Sequence, residues 1–409
     1  MAIVAPQRLP HPAFLTEPPY AEYLRKFTTG DIRATHAQVR RFREFAGVGD
    51  PLADAVVAAM RAMPDGQGRV LLERAIEEGI DAVPQAPQEF RAFFAQVDEI
   101  PFWLDAEQVE LGARTSRRSG ILGLYALQGL ALMGGYLASR PGKTLVATGN
   151  LRSAAPRRLV ETASWWLDIT EPKALTRFGT GFKNTLRVRI LHAQVRAAMV
   201  RRPGWDYEAW DHPLNQVQTV GTLTLFSLAF LVGTHELGVR HTTREREAVV
   251  HMWRYIGYLQ GIVPELVPTT EADTWRLFWL EAVTEFIPDE DSLRLARALA
   301  DTFGPPEGEN PASRLIHWAV SNYTGSYSRL VLGRRNADFL ELPDSALFRT
   351  AVVATSTAVR SLELVRQLVP GATSISDRVG TATRRWLIDR GVREVRANLG
   401  YQTHEHPPA

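Results

Sequence analysis

The chain has 409 residues, of which 45% are hydrophobic and 22% are charged. This composition is typical of a globular protein that can bury a large core, and it excludes general disorder. Lysine and arginine number 47 against 45 for aspartate and glutamate, and the two signs are interspersed, so nucleic-acid binding is not expected. There is no cysteine, which excludes disulfides, thiolate metal sites, cysteine nucleophiles and covalent haem attachment through C-x-x-C-H.

The organisation of the chain is simple. No long Gly/Ser-rich or Pro-rich linker divides it, which favours one large helical domain over residues 31–398, with a separate C-terminal subdomain as the alternative. Residues 1–30 are rich in proline and aromatic residues, and we expect this extension to wrap the surface before the first helix. It carries no export signal, which predicts a cytoplasmic protein, and residues 399–409 resemble a flexible tail.

Helical periodicity dominates the sequence after the extension, and few segments alternate as strands do, so the predicted fold class is all-α. The spacing of apolar residues and the positions of Pro, Gly and Asp predict helices at about 31–46, 51–62, 68–79, 87–97, 105–115, 118–138, 156–169, 182–201, 215–238, 243–263, 270–286, 290–303, 309–323, 344–367 and 375–396.

The segment 119–138, SGILGLYALQGLALMGGYLA, is uncharged and has about the length of a membrane span, with Arg117, Arg118 and Arg140 at its ends. It is rich in glycine and stands almost alone in a chain of negative mean hydropathy. A buried helix is therefore favoured, and membrane association is an alternative that is not favoured. The glycines would also permit close approach of a flat cofactor.

The predicted helix at 156–169 carries a mixed polar and aromatic face. Arg158, Glu161, Thr162 and Trp165 fall at i, i+3, i+4 and i+7, so they share one side of the helix. This face can line a polar pocket. On spacing alone, an exposed pair of Arg158 with Glu161 or Thr162, with Trp165 at the core margin, is the simpler interpretation.

The predicted helix at 182–201 places a histidine on an apolar stripe, formed by Val188, Leu191, His192, Val195 and Met199. The other faces carry Arg187, Arg189, Arg196 and Arg201. A lone histidine on such a stripe is usually a hydrogen-bonded core residue, and a metal ligand is the alternative.

Two later stretches carry weaker signals, and several common catalytic motifs are absent from the sequence. W-D-H-P-L-N-Q-V-Q-T-V-G-T-L-T-L-F-S (210–227) and H-M-W-R-Y-I-G-Y-L-Q-G-I-V-P-E (251–265) mix polar anchors, glycines and aromatics, which helix capping and packing also explain. His235 and His241 are six residues apart and form no zincin motif, and no nucleotide-binding or serine-hydrolase signature is present.

Four stretches in this order resemble the family of latex-clearing rubber oxygenases and mpaB-type oxygenases. They are R-R-L-V-E-T (157–162), L-R-V-R-I-L-H-A (186–193), P-L-N-Q…G-T-L-T-L-F (213–226) and W-R-Y-I-G-Y-L-Q-G (253–261). The resemblance runs from about residue 117 to about residue 288, with weaker similarity beyond. It implies a globin-like helical core that holds one haem b, with O₂ as the oxidant.

The resemblance also implies roles for individual residues. The proximal histidine of the family corresponds to His192, and Arg189 and Arg196 are then candidates to meet the haem propionates. The distal R-x-x-K-T pattern of the family corresponds to Arg158, Glu161 and Thr162, so that a carboxylate stands where the family has lysine. Arg158 and Thr162 would hydrogen-bond the oxygen, and Glu161 would handle protons.

The sequence therefore predicts a haem-b-dependent oxygenase that acts on a small hydrophobic, alkene or isoprenoid-like substrate, with oxidative cleavage of a C=C bond as the family reaction. Three alternatives stay open: a non-catalytic haem or lipid carrier, a non-haem iron enzyme using His192 and Glu161, and a helical interaction scaffold. The oligomeric state and the identity of the substrate do not follow from the sequence.

Overall fold

A computed structural model describes residues 7–28, 30–147, 151–302 and 310–399. Every regular element in these ranges is helical, and extended pairing is limited to one isolated bridge between Arg8 and Thr35. The all-α prediction is confirmed.

The helices are α1 (Tyr20–Phe27), α2 (His36–Glu44), α3 (Pro51–Ala62), α4 (Gln67–Glu78), α5 (Gln88–Asp98), α6 (Ala106–Arg118), α7 (Gly120–Ala126), α8 (Met133–Gly135), α9 (Ser139–Ala147), α10 (Leu151–Ile169), α11 (Thr180–Val200), α12 (Tyr207–Trp210), α13 (Gln216–Thr224), α14 (Phe230–Glu236), α15 (Thr243–Leu259), α16 (Glu271–Thr284), α17 (Glu290–Asp301), α18 (Pro311–Leu332), α19 (Arg334–Phe339), α20 (Ala346–Leu368) and α21 (Ala372–Leu399). Two π-helical segments, Leu127–Leu132 and Leu225–Ala229, join α7 to α8 and α13 to α14, and short 3₁₀ turns occupy Ala13–Thr16, Phe45–Gly47, Pro64–Gly66, Ile80–Ala82 and Pro264–Leu266.

The N-terminal extension differs from the expectation, because the first helix begins inside it at Tyr20. Tyr20 and Tyr23 are buried, and the Tyr23 hydroxyl donates to the carbonyl of Leu231 at 3.1 Å. Aromatic residues at i and i+3 give this short segment an apolar face that can dock on the core, so it forms a helix instead of an extended wrap. Of the predicted tail, residues 400–409 lie outside the described residues.

The glycine-rich segment 119–138 is a core element, broken into α7, a π-helical segment and α8. A Cβ on Gly129 would lie 2.7 Å from the ring of Tyr327, and one on Gly134 would lie 2.9 Å from Leu332. The glycines therefore admit protein side chains at close range, and the expectation that they admit a flat cofactor finds no support in these contacts. After α8 the chain bends by 95° into α9, a helix that the sequence did not predict.

By length and composition, two parts of the described chain resemble membrane spans. One is the continuous helix Gln216–Glu236, of which 72% is buried in the protein, and the other is the bent pair Gly120–Gly135 with Ser139–Ala147. Core helices of water-soluble proteins have the same properties.

Helices α6 and α15 pack closely at the centre of the molecule. Gly112 of α6 packs on α15 so tightly that a Cβ there would lie 2.3 Å from the carbonyl oxygen of Ala248.

Several helix starts are capped as their sequences suggest. Asp50 and Asn215 accept backbone N–H bonds at the starts of α3 and α13, and Asp289 does the same for α17.

Candidate functional site

Helices α10 and α11 form an antiparallel pair whose register is fixed near their connecting loop. The indole Nε1 of Trp165 donates to the hydroxyl of Thr185 at 3.3 Å, and the amide of Asn184 donates to Asp168 at 2.7 Å. A Cβ on Gly181 would lie 2.9 Å from the carbonyl oxygen of Asp168, so only glycine allows this approach.

This register places Arg158 and His192 at the same level on facing sides of the pair. Arg158 lies seven residues before Trp165, and His192 lies seven residues after Thr185. Because residues seven apart lie on one helix face and α-helices rise about 1.5 Å per residue, both side chains stand roughly 10 Å from the Trp165–Thr185 contact in the same direction.

Helices α10 and α11 form two walls of the site, and α13 with the π-helical segment Leu225–Ala229 forms a third. The ring of Phe226 lies 5.7 Å from that of Trp165, edge to face, and 5.2 Å from that of Trp253, stacked. Thr222 lies one turn before Phe226 and so faces the same way. Departures from α-helical geometry of this kind are frequent at functional sites.

The side chains on these three walls are more open than their position suggests. Thr162 and Thr222 are exposed, although both belong to helices at the centre of the fold, and Arg158 and His192 are half-buried. Burial is nevertheless the main cause of the lowered pKa of His192. From this combination of exposure and burial we infer an interior space between α10, α11 and residues 216–229, and we call it the central pocket.

His192 is a neutral imidazole at physiological pH. Its burial, followed by the nearby Arg196 cation, lowers its pKa to about 4, and Asp50 partly opposes this shift. In the part of the chain that the structure describes, neither ring nitrogen has a hydrogen-bond partner. A neutral histidine without a protein partner has a lone pair available to a metal.

The stripe predicted for α11 is partly wrong. Leu191 is 53% exposed, whereas Arg189 and Arg196, which were assigned to other faces, are buried. The two arginines are tolerated inside because carboxylates neutralise them, a long-range pairing that apolar periodicity does not reveal.

The guanidiniums of Arg189 and Arg196 are held by protein acceptors. Arg189 Nε and Nη2 donate to Asp50 at 2.6 and 3.0 Å, and Nη1 donates to Gln96 at 2.6 Å. Arg196 Nε donates to Asp54 at 2.8 Å, and Nη1 donates to the carbonyl of Leu214 at 2.9 Å. These contacts do not support their interpretation as propionate anchors. Arg196 instead acts on the charge of His192.

The P-L-N-Q stretch has a structural role in the described contacts. The Gln216 amide donates to the carbonyls of Gly49 and Gly261 at 2.8 and 3.0 Å, and its oxygen accepts from Val263 N–H at 3.0 Å. Gly261 has φ +75°, and a Cβ there would lie 2.5 Å from Arg189 Nη2. Glycine is therefore required beside the buried ion pair.

The three predicted distal residues lie on one helix but have different surroundings. Arg158 is half-buried, donates to the carbonyl of Leu145 at 3.5 Å, and has its pKa lowered by burial. Glu161 accepts from Arg157 Nε at 2.7 Å, in a pair that is partly exposed on both sides. Thr162 is exposed and free of steric cover. The ion partner of Glu161 is therefore Arg157, one residue from the partner that spacing suggested.

Sequence reasoning missed three polar residues near this region. Burial raises the pKa of the half-buried Tyr136 to about 12, and the Arg158 cation opposes that shift. Gln218 and Glu281 are both buried. The sequence indicates Tyr136 only weakly, as a polar residue at the end of the apolar 119–138 segment. Nothing in the pattern of α16 distinguished Glu281 from a surface acid.

Glu281 is an unusual core residue because it has no cation partner among the described residues. It is 3% exposed, accepts from the Thr224 hydroxyl at 2.7 Å, and lies against Gly221, where a Cβ would be 3.7 Å from its carboxyl carbon. Its Oε1 and both polar atoms of the Gln218 amide are buried without a hydrogen-bond partner in the described protein. Burial, followed by the charge of Glu285, raises the pKa of Glu281 to about 8 despite the Thr224 bond.

We expect Glu281 to make the folded protein less stable as pH rises. The unfolded carboxyl loses its proton near pH 4.5 and the folded one near pH 8, so the folded state holds one more proton between these values. The stabilisation is complete below pH 4.5 and is lost as pH approaches 8. The difference in the free energy of unfolding between the parent and Glu281→Gln, measured by urea unfolding, should shift in favour of the variant by up to about 1.4 kcal/mol per pH unit between these pH values.

The exposed Glu265→Gln variant is the control and should track the parent at each pH. A Glu281→Gln difference that does not change between pH 5 and pH 8 would contradict the buried, protonated state of this carboxyl.

In the described ranges, no group of three or more His, Asp or Glu side chains is arranged to hold a metal ion. Fold and site together define an all-α protein with a neutral, unpartnered histidine on α11 at the level of an arginine on α10, close to a cluster of aromatic rings. Residues 117–361 match the model of the family described as ER-bound oxygenase mpaB/B'/Rubber oxygenase, catalytic domain. Because this match covers more than half of the chain, the protein belongs to that family.

Two individual similarities accompany the family match. The chain is 26% identical to a rubber oxygenase of Streptomyces sp. (strain K30) over 228 residues, which are 54% of this chain and 55% of that protein. The match thus spans about half the length of the curated relative. A structure of latex clearing protein LCP in the closed state superposes with a TM-score of 0.56 and 18% identity, covering 89% of this chain and 93% of that one. This likeness shows the fold.

Proposed function

We propose that the protein is a haem-b-dependent oxygenase that uses O₂ to cleave the C=C bond of a small hydrophobic, isoprenoid-like substrate. The observation that carries the proposal is the neutral, unpartnered imidazole of His192 at the level of Arg158 across the central pocket. Membership of the oxygenase family and the similarity to a rubber oxygenase support the reaction class.

The residues of the central pocket fit a haem. A histidine that ligates a haem iron does so as the neutral imidazole, and His192 would offer one without breaking a protein hydrogen bond. The rings of Trp165, Phe226 and Trp253 form an apolar cluster beside the pocket, with Phe226 stacked on Trp253 and Trp165 edge-on to both. Haem, when bound, would supply the redox-active iron that activates O₂.

The remaining tasks fall to the side chains. His192 would hold the cofactor, and its burial together with the field of Arg196 keeps the imidazole uncharged. Arg158 and Thr162 present hydrogen-bond donors from the opposite helix, and the aromatic rings exclude water and receive the apolar substrate. Glu161 lies one turn from Arg158 and is the group that takes up or releases a proton, provided that it leaves Arg157.

The test is oxygen uptake by the protein expressed with ample haem precursor and supplied with squalene dispersed in detergent. The proposal predicts that O₂ is consumed and that carbonyl products accumulate, two carbonyl groups for each O₂. Haem binding without O₂ uptake or product would indicate a carrier and overturn the proposed activity.

Replacing Glu161 by Gln tests its proton role. We expect turnover to fall by roughly 10²–10⁴-fold, the usual contribution of general acid–base catalysis, while haem content stays unchanged. The matched control is Arg157→Gln, which removes the other half of the same exposed ion pair and should change turnover little. Equal turnover in Glu161→Gln and the parent would remove Glu161 from the mechanism.

A further inference from the structure

A second cavity lies at the other end of the α10–α11 pair, beside their connecting loop. Its volume is 890 Å³, and its walls come from the end of α5, the first half of α6, residues 169–177, the first turn of α11 and Tyr255 of α15. Phe182 in its wall and His192 in the central pocket are ten residues apart on α11, which is roughly 15 Å along the helix. We call it the loop-side cleft.

The walls of the loop-side cleft are largely apolar, and they include Val97, Leu104, Val109, Leu175 and Phe182. Ile100, also in the lining, is 79% exposed, so apolar surface continues from the interior to the mouth. A concave apolar site of this volume, with few polar groups, is typical of small-molecule binding sites, which occupy about 300–1,000 Å³.

The Tyr255 hydroxyl in the cleft makes no hydrogen bond within the described residues, although the residue is only 7% exposed. The hydroxyl oxygen itself is not fully buried. Burial raises its pKa to about 12, so the hydroxyl keeps its proton and can donate. The hydroxyl can therefore donate to an acceptor atom on a bound molecule.

The charges around the cleft indicate an uncharged ligand. The lining contains five carboxylates against three cations, so an anion is not favoured. Several of these charges pair within the protein: Asp98 with Arg177 Nε at 2.5 Å, Glu110 with Arg117 at 3.0 Å, and Arg114 with Asp377 at 2.6 Å. Nη1 and Nη2 of Arg177 are buried without a hydrogen-bond partner in the described protein, so they too can donate to an acceptor atom. A cation would have to compete with these arginines for the carboxylates.

We propose that the loop-side cleft is a second binding site, separate from the central pocket, for a neutral amphiphile: an apolar chain with one hydroxyl or carbonyl oxygen that accepts a hydrogen bond from Tyr255. The site does not depend on the proposed oxygenase activity, because its residues are distinct from those of the central pocket. It matches the chemistry of long-chain alcohols, aldehydes and ketones.

The experiment is equilibrium dialysis of the full-length protein with 1-dodecanol, and dodecane, dodecanoate and dodecylamine serve as comparison probes. The parent should bind dodecanol saturably and more tightly than the other three. Val109→Trp, which fills the cleft, should weaken binding at least 10-fold, and Val39→Trp, at a half-buried valine of α2, should not. Tyr255→Phe keeps the ring and should weaken dodecanol about 5- to 10-fold while leaving dodecane unchanged.

His192→Ala should bind dodecanol as the parent does, which separates this site from the central pocket. The proposal is overturned by absence of saturable binding in the parent, by tighter binding of dodecanoate or dodecylamine, by unchanged binding in both Val109→Trp and Tyr255→Phe, or by loss of binding in His192→Ala.

Discussion

Arg189→Gln should lower the free energy of unfolding by about 3–5 kcal/mol in the absence of any cofactor. The substitution leaves the Asp50 carboxylate buried without its cation, and the loss of one partner from a buried ion pair costs this much. Asp50 also caps α3, and Arg189 donates to the Leu259 carbonyl at the end of α15, so three elements lose a shared anchor. Urea unfolding of the cofactor-free protein measures the effect.

Arg187→Gln is the matched control, since Arg187 lies two residues away on the same helix and pairs with the partly exposed Glu73 and Glu77. Exposed pairs contribute about 0–1 kcal/mol, so this variant should be near the parent. If Arg189→Gln unfolds like the parent but binds haem weakly, Arg189 is a propionate anchor and the structural account of its ion pair is wrong.

His192→Ala should reduce O₂-dependent turnover by more than about 100-fold, because it removes the nitrogen that we propose as the iron ligand; loss of a group that merely supports a metal ligand already costs 10–100-fold. Free imidazole added to this variant should restore part of the turnover, since it can occupy the space of the missing ring. Oxygen uptake with and without imidazole measures both effects.

The His192→Ala variant should still fold. His192 makes no hydrogen bond within the described protein, and its low pKa means that the charged form is disfavoured in the folded state. The folded histidine resists the proton that the unfolded one takes up near pH 6.5, so it lowers stability as pH falls from 6.5 towards 4. Removal of the ring should therefore flatten that part of the stability profile.

The sequence predicts the helices well because their signals are local. Helix α11 was expected at 182–201 and runs Thr180–Val200, and the helix expected at 290–303 is α17, Glu290–Asp301, capped by Asp289. Helix α9 was missed because it contains Pro141 and Gly142, which usually mark loops, and because tertiary packing against α17 overrides that propensity.

The candidate site was predictable only in part. Spacing placed Arg158 and Trp165 on one face of α10 and His192 on a partly apolar face of α11, but it could not give the antiparallel register that the Trp165–Thr185 bond fixes. It also could not reveal that Asp50 neutralises Arg189, since 139 residues separate the two. Charges that look exposed by periodicity are buried when distant partners meet them.

The most direct test of the account is the ultraviolet–visible spectrum of the protein titrated with haem, beside His192→Ala treated identically. The account predicts a saturable Soret band in the parent at one haem per chain, lost or shifted in the variant. A parent without a Soret band, or a band that is identical in the two proteins, would contradict the assignment of His192 as the axial ligand.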